Sequence, residues 1–375
     1  MNKLIRLSKS CLSDSEKQAV LRTLDKELLG MGEETKLFET MLADFFGRET
    51  VCVNTGTAAL QLAIQACGIG KGDEVLVQSL TYVASFQAIS ATGAKPVACD
   101  IEPKYCSIDL DDAIKRLTPN TKAIMPVHYA GQPGNLEAIY QFAEKNKLRV
   151  IEDAAHAFGT VYKGQKIGAF GDVVCFSFDG IKNITSGEGG CIVSSDEGVL
   201  NKIKDLRLLA VEKDTEKRYS GQRSWEFDVV EQGWRYHMSN IMAAIGIEQL
   251  KRFPEMAKKR QELAKLYDKK FQNHSSIKTF QKNYDEVVPH IYPVLISGMK
   301  DRESLRKQLL EKGIQTGLHY QPNHWLTYYK DLKPSAFPNT EKIYSGLLTL
   351  PLHYDLTVED VEYVADELER AVNLR

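Results

Sequence analysis

Paired cysteines, long apolar runs and an excess of either charge are all missing from this 375-residue chain. The seven cysteines, at 11, 52, 67, 99, 106, 175 and 191, are odd in number and include no Cys-x-x-Cys pair. Neither a disulfide framework nor a zinc site is therefore expected, and the thiols suit a reducing cytoplasm. No apolar stretch approaches the ~20 residues of a membrane span, and residues 1–17 lack an apolar core of signal-peptide length. Lys plus Arg number 48 against 50 Asp plus Glu, a net charge of -2, which gives no electrostatic case for a nucleic-acid or membrane partner. A local basic pocket for a phosphorylated small molecule stays compatible with that balance. Internal repeats and low-complexity tracts are missing too. So is a dinucleotide or P-loop fingerprint. Gly68-Ile69-Gly70-Lys71-Gly72 follows a helix, not a strand, and reads as a helix stop and turn. That absence, with no ribose-binding acid at the expected distance, argues against a nucleotide-dependent oxidoreductase.

What is present is the composition of a soluble enzyme, 43% apolar and 26% charged. At about 150 residues per domain the length predicts two domains. From residue 50 to about 195, β-rich runs (51–53, 74–78, 95–99, 122–127, 149–151, 173–178, 190–194) alternate with helical stretches (57–67, 82–91, 135–145). That alternation predicts an α/β unit with a mainly parallel sheet and helices on both faces, its ligands at the carboxyl ends of the strands. Beyond about 246 the pattern changes to a charged amphipathic helix over 254–271, strands at 291–296 and 347–352, and helices at 302–311 and 358–372. The expected division is a large domain over 1–250 and a smaller α+β domain over 251–375. The first ~25 residues are free to pack on either, since pattern alone constrains a chain end weakly.

Three stretches carry chemistry. Asn54-Thr55-Gly56-Thr57-Ala58-Ala59-Leu60 lies where a strand turns into a helix. Gly56 permits close backbone approach, Thr57 offers a hydroxyl, and the free amides of a helix start suit a phosphate. A plain N-cap is the other reading of the same residues. Glu152 and Asp153 end a predicted parallel strand, where side chains reach the ligand crevice. Successive strand residues face opposite ways, so only one of the two acids should enter a site, and a paired acid/base role is disfavoured. A helix cap or a solvated charge would use the same residues. Lys182 follows the most apolar strand, in a loop rich in Ser, Thr and Gly running to Gly190. Most lysines are surface charges. Burial in a cleft would instead lower this amine's pKa and make it trap carbonyls. Ser177 adds a further donor suited to phosphate. A phosphate cradle, an acid, a serine and a lysine on successive crevice loops are what pyridoxal phosphate requires.

The stretches NTGTAAL, SLTYVAS, IEDAAHAFG, CFSFDGIKNITSGEGG and GWRYHMSNIMAAIG resemble the DegT/DnrJ/EryC1/StrS group of nucleotide-sugar aminotransferases, in the family's order and over nearly the whole chain. The resemblance implies an α/β fold-type I transferase dependent on pyridoxal 5'-phosphate. It also implies a homodimer with each active site at the subunit interface. Lys182 would then bind the cofactor's aldehyde and shuttle a proton, and Asp153 would pair with the pyridinium nitrogen. His156 would lie near the ring and its 3-oxygen, and Tyr82 would stack on the ring. Gly56, Thr57 and Ser177 would hold the phosphate, with the Ala58 amide as a further donor. Arg235 stands where relatives usually carry Asn in a GYNYRM-like stretch, and would reach the phosphate from the other subunit by charge-assisted bonds. Asp179 falls in FDGIK, where many relatives have His or Tyr; contact with the sugar and tuning of the lysine are both open for it. His319, Tyr320 and His324 lie in a segment resembling the family's HYxPxH type, which shapes the sugar-nucleotide pocket.

No metal is expected at His319 and His324, which lack further close ligands, and His128 and His237 read as structural. The implied partners are L-glutamate, as donor, and a nucleotide-linked 4-keto or 3-keto 6-deoxyhexose. The implied setting is amino-sugar synthesis for a surface polysaccharide or a glycosylated metabolite. A sugar dehydratase on the same cofactor and a non-catalytic regulator are the competing readings. Some dehydratase relatives replace the lysine by histidine, so retention of Lys182 favours transamination; Asp153 and Lys182 together argue against a regulator. Lys182→Arg is expected to abolish turnover in an amino-transfer assay, and full activity in that variant would remove this amine from the chemistry.

Overall fold

The computed structural model describes residues 4–373 other than 281 and 331–335. Helices α1 (Asp14–Asp25) and α2 (Glu33–Phe46) lead into β1 (Thr50–Val53), α3 (Gly56–Ala66), β2 (Glu74–Gln78), α4 (Val83–Ala91) and β3 (Lys95–Cys99). A two-residue ladder of β4 (Ile101–Glu102) and β5 (Ser107–Ile108) precedes α5 (Leu110–Arg116), β6 (Thr121–Met125), α6 (Leu136–Asn146) and β7 (Arg149–Asp153). A small hairpin, β8 (Val161–Tyr162) with β9 (Gln165–Lys166), leads to β10 (Val173–Ser177) and β11 (Gly190–Ser194), then α7 (Glu197–Leu206), α8 (Asp214–Tyr219) and the long α9 (Asn240–Phe271).

The main sheet has the order β1-β11-β10-β7-β6-β2-β3. Strands β10, β7, β6, β2 and β3 are mutually parallel, and β11 is antiparallel to both β10 and β1. Strand β1 therefore runs the same way as the five, and its carboxyl end lies on the same edge as those of β7 and β10. The reversal of β11 has a local cause. Only the loop 178–189 separates it from β10, and a connection without a crossover helix returns antiparallel. Side chains alternate through the sheet. Cys52, Val174 and Phe176 pack with Phe38 of α2 and Ile247 of α9 on one face, while Val51, Val53, Val173 and Cys175 pack with Leu62 of α3 and Leu200 of α7 on the other. The result is the mainly parallel, doubly covered sheet that the alternation predicts.

Strands β12 (Ile277–Thr279), β13 (Tyr292–Ile296) and β14 (Leu347–Leu350) form a separate antiparallel sheet, with α10 (Arg302–Glu311), α11 (Pro338–Gly346) and α12 (Val358–Asn373) around it. Helix α9 belongs to both parts. Ile247, Phe253 and Met256 pack under the main sheet, whereas Leu263, Tyr267 and Phe271 join the small sheet's core. It begins well before residue 254, capped by Ser239, whose side chain accepts from the Met242 amide. Pro254 resembles a first-turn proline in sequence but sits mid-helix. Residue 250 thus falls inside this helix. The amino-terminal segment divides between the parts: Ile5 pairs with Ile314 and packs in the small core. Helix α1 lies on α9, where Glu16 accepts from Gln249 Nε2 (2.7 Å) and Arg252 Nη1 (2.6 Å).

Edge strand β1 carries the turn at 54–57, and a buried ion pair holds it. Arg207 Nη1 donates to Cys52 O (2.6 Å) and to Glu39 Oε1 (2.5 Å), and Nη2 donates to the Tyr219 hydroxyl (3.1 Å). Glu39 Oε1 also accepts from the Cys52 amide (2.7 Å). Removing one partner of such a pair strands a charge in the interior. Glu39→Leu is expected to cost about 3–5 kcal/mol in chemical denaturation; a loss under about 1 kcal/mol would mean that Arg207 does not depend on this carboxylate.

Candidate active site

A cavity of about 440 Å³ opens at the carboxyl ends of β1, β7 and β10. Gly56, Thr57, Tyr82, Asp153, His156, Ser177, Asp179, Lys182, His319 and Tyr320 all line it, together with Glu188 and His290. Ala58, Arg235 and His324 are not on its wall.

One end of the cavity is built by the β1-to-α3 turn. Thr55 caps α3, and its hydroxyl accepts from the Ala58 amide (3.0 Å). That amide is spent on the cap, which corrects the expectation that it adds a phosphate donor. The Gly56 and Thr57 amides have no partner among the described residues and remain available. Strand register puts Ser177 beside them, since Val53 pairs with Gly190 and Gly190 with Ser177. The approach demands glycine, because a Cβ at residue 56 would stand 2.7 Å from Ser177 Cβ.

Asp153 is 6% exposed and held by neutral donors: Ser85 Oγ donates to Oδ2 (2.7 Å) and the Ala155 amide to Oδ1 (3.2 Å). Among the described residues it has no ion pair, so a cationic N–H in the cavity would complete its environment. Glu152 turns to the opposite face, where it accepts from the Tyr140 hydroxyl and meets His128 Nε2 at 2.9 Å. The alternation of the strand thus delivers one acid to the cavity and leaves the other, with His128, in a buried structural pair. Tyr82 stands at the mouth, 58% exposed, its ring centroid 5.5 Å from that of Tyr320.

Burial pushes the Lys182 amine down to about 8, against the opposing pull of Asp153 and Asp179. At pH 7 roughly a tenth of such a group is free amine, some 300 times the share of an ordinary lysine. The aromatic and imidazole side chains around it are neutral. Burial, then Lys182, holds His156 far below the usual histidine range. The Ala130 amide donates to His156 Nδ1 (3.3 Å), which puts the ring proton on Nε2, facing the Tyr320 hydroxyl at 2.9 Å. Tyr320 therefore accepts from His156 and keeps its own proton to donate, since burial followed by Asp153 drives its pKa up. His319 is pushed to about 4 by burial and Lys182, and its Nδ1 lies 3.0 Å from Thr349 Oγ1. Asp179 Oδ1 accepts from the Ile181 amide (3.2 Å), and its carbonyl accepts from the Lys182 amide (3.0 Å), which shapes the turn that presents Lys182. Glu188 is raised by burial and by Asp179.

His324 departs from its expected place on the pocket wall. Its Nδ1 meets Ser79 Oγ at 2.7 Å, Nε2 meets Glu341 at 3.4 Å, and its ring stacks on Phe337 at 3.9 Å between centroids. It pins its segment to the end of β2. Arg235 lines a separate cavity of about 430 Å³ with Arg218, Arg223 and His237. Sequence reasoning missed Glu188 and His290. Glu188 lies within the lysine loop and could have been found there; His290 precedes β13 in the small part, in no recognisable motif. Among the described residues, no group of three or more His, Cys, Asp or Glu is placed to hold a metal ion. Among the same residues, no helix is long and apolar enough to cross a membrane.

Comparison with known proteins gives concordant results. A family model described as the DegT/DnrJ/EryC1/StrS aminotransferase family matches residues 10–369. The chain is 36% identical over 380 residues to the spore coat polysaccharide biosynthesis protein SpsC of Bacillus subtilis, covering 99% of this chain and 98% of that one. Its fold is similar to the PLP form of the putative sugar aminotransferase Spr1654 from Streptococcus pneumoniae, with a TM-score of 0.92, 30% identity and 99% of each chain covered. It is also similar to Helicobacter pylori PseC, an aminotransferase involved in the biosynthesis of pseudoaminic acid, with a TM-score of 0.91, 28% identity and 100% of each chain covered.

Because Lys182 titrates near neutrality, its reactivity toward formaldehyde and a hydride donor in the cofactor-free protein should rise as pH increases through about 8. Mass spectrometry of the labelled peptide measures this. A midpoint at 10 or above would place the amine in water.

Proposed function

We propose, for a chain that belongs to the DegT/DnrJ/EryC1/StrS aminotransferase family of pyridoxal-phosphate-dependent sugar aminotransferases, that the amino group of L-glutamate is moved to the C3 or C4 keto group of a nucleotide-linked 6-deoxyhexose. Glutamate leaves as 2-oxoglutarate and the sugar leaves as its amino derivative. The observation that carries this reading is the meeting, in one cavity, of the Lys182 amine, the Asp153 carboxylate and the free Gly56 and Thr57 amides beside Ser177.

Pyridoxal phosphate, when bound, supplies an aldehyde to carry the amino group and a ring that accepts carbanion electrons. Gly56 and Thr57 donate their amides to the phosphate, with the Ser177 hydroxyl. Asp153 keeps the ring nitrogen protonated, and Tyr82 covers one ring face. Lys182 would hold the aldehyde carbon and, once displaced, would carry a proton between the substrate carbon and that cofactor carbon, outward in one half-reaction and back in the other; an amine titrating near 8 suits both directions. His156 has both nitrogens engaged within the chain, so it works by aiming Tyr320, whose O–H is offered to the sugar oxygens. His319 closes the same wall, and Asp179 with Glu188 meets sugar hydroxyls at the mouth. His324 acts from behind by fixing the segment that carries Tyr320.

We also propose a homodimer with shared sites. Trp225 (86% exposed), Phe227 (60%) and Val230 (76%) are exposed apolar side chains that a second copy would cover, in the segment following Arg223, which lines the cavity holding Arg235. From there Arg235 would reach the neighbour's phosphate. The large unit, residues 1–250, would hold the cofactor and the small unit, 251–375, would close over it. Seven free cysteines, most of them buried, fit a cytoplasmic enzyme. The similarity to SpsC and PseC supports a role in making a surface glycan.

A panel of keto-sugar nucleotides incubated with glutamate should yield a product whose mass shows amino-for-keto exchange; loss of water without nitrogen would overturn the assignment. Lys182→Ala and Arg235→Ala proteins should each be inactive or severely impaired. Mixed and reassorted, they should recover about a quarter of wild-type activity, because half the dimers are hybrids with one intact site of two. No recovery would sink the shared site.

A further inference from the structure

His290 is absent from every motif of the sequence, yet it is the one residue described here whose side chain comes within hydrogen-bond distance of the Lys182 amine. Its backbone is anchored on the small part. The His290 carbonyl accepts from Arg260 Nη1 (3.2 Å) on α9, and the same guanidinium nitrogen donates to Leu352 O (3.2 Å). From that anchor the imidazole, 3% exposed, reaches into the cavity of the main sheet. Its Nε2 stands 3.5 Å from Lys182 Nζ, and its ring centroid lies 4.5 Å from that of His156. Its Nδ1 is buried with no partner among the described residues.

When Lys182 carries a proton, its ammonium needs an acceptor. Among the described residues, no carboxylate of the wall comes within hydrogen-bond distance of that amine: Asp153 is held by Ser85 and the Ala155 amide, and Asp179 by the Ile181 amide, while His156 Nδ1 receives the Ala130 amide. We propose that His290 is the positioning residue of Lys182: Nε2 accepts a hydrogen bond from the lysine ammonium and holds it over the cavity between proton uptake and proton return. The proton would pass from the substrate carbon to Lys182 Nζ and on to the cofactor's aldehyde carbon, and in the reverse sense for the second substrate. His290 itself neither gains nor loses one, and its ring proton stays on Nδ1. The ring remains neutral because the main influences on it oppose a second proton: burial first, then Lys182 from the loop after β10, His156 after β7, Arg260 on α9 and His319 between α10 and α11. On the other side, Asp153 and Asp179 favour the lysine ammonium.

This inference rests on the proposed transamination for its kinetic arm alone. His290→Phe removes the acceptor and His290→Gln restores one, while His290→Leu repeats the loss with a smaller side chain, so that a packing defect in one variant does not decide the outcome. In cofactor-free protein, the midpoint of Lys182 reductive methylation should fall by about half a unit or more in the Phe and Leu variants and stay near the wild-type value in the Gln variant. In loaded enzyme, conversion by glutamate in a single turnover should slow roughly tenfold in Phe and Leu, with a larger isotope effect from α-deuterated glutamate, and recover in Gln. Unchanged midpoint and isotope effect in Phe and Leu, or equal impairment of all three variants, would overturn the role. Failure of wild-type enzyme to react with glutamate would refute the donor and leave the methylation comparison to judge His290.

Discussion

A lysine amine held out of water beside two carboxylates sets the terms for the rest of the cavity. Burial pushes its proton off, and Asp153 and Asp179 pull it back. The surroundings must therefore add no further charge. They meet that condition with neutral groups: His156, His290 and His319 stay unprotonated, and Tyr320 keeps its phenolic proton. A charged imidazole among these would drive the amine further down and compete for Asp153, and a phenolate at Tyr320 would pull the proton back onto the amine.

The geometry behind this balance is a matter of strand direction. Six strands end on one edge of the sheet, and β11 returns from that edge, so the loop carrying Lys182 hangs over the ends of its neighbours. Gly190 lets Thr55 and Phe176 approach, since a Cβ there would stand 2.7 Å from the carbonyl oxygen of each. The turn at 54–57, the serine and the lysine are thus assembled by backbone pairing, with little left to flexible side chains. The ion pair at Arg207 keeps the edge strand in that register.

The small part does more than cover the site. Helix α9 is rooted in both hydrophobic cores, and Arg260 ties the backbone at His290 and Leu352 to it. Tyr320 and His319 enter from the same side, and His324 staples their segment to Ser79. The contacts of the cavity wall with Lys182 and with Tyr320 are therefore held in place from the small part.

Much of this was legible in the residues. The alternation of strands and helices determined a parallel α/β sheet, because a buried strand and an amphipathic helix leave different periodicities. The side-to-side alternation of Glu152 and Asp153 settled which pair could not act together, and Gly56, Ser177 and Lys182 announced themselves by sitting at strand ends. Tertiary structure alone decided the remainder. The direction of β11 depends on its neighbours, not its composition. The Ala58 amide was lost to a cap that competes for the same donors, and His324 was drawn to Ser79 and Phe337 by packing across the chain. His290 reaches Lys182 from just ahead of a strand in the other sheet, 108 residues away. Local pattern encodes which face a residue presents; it carries no record of what distant segment that face will meet, because that is settled only when the two cores close around α9.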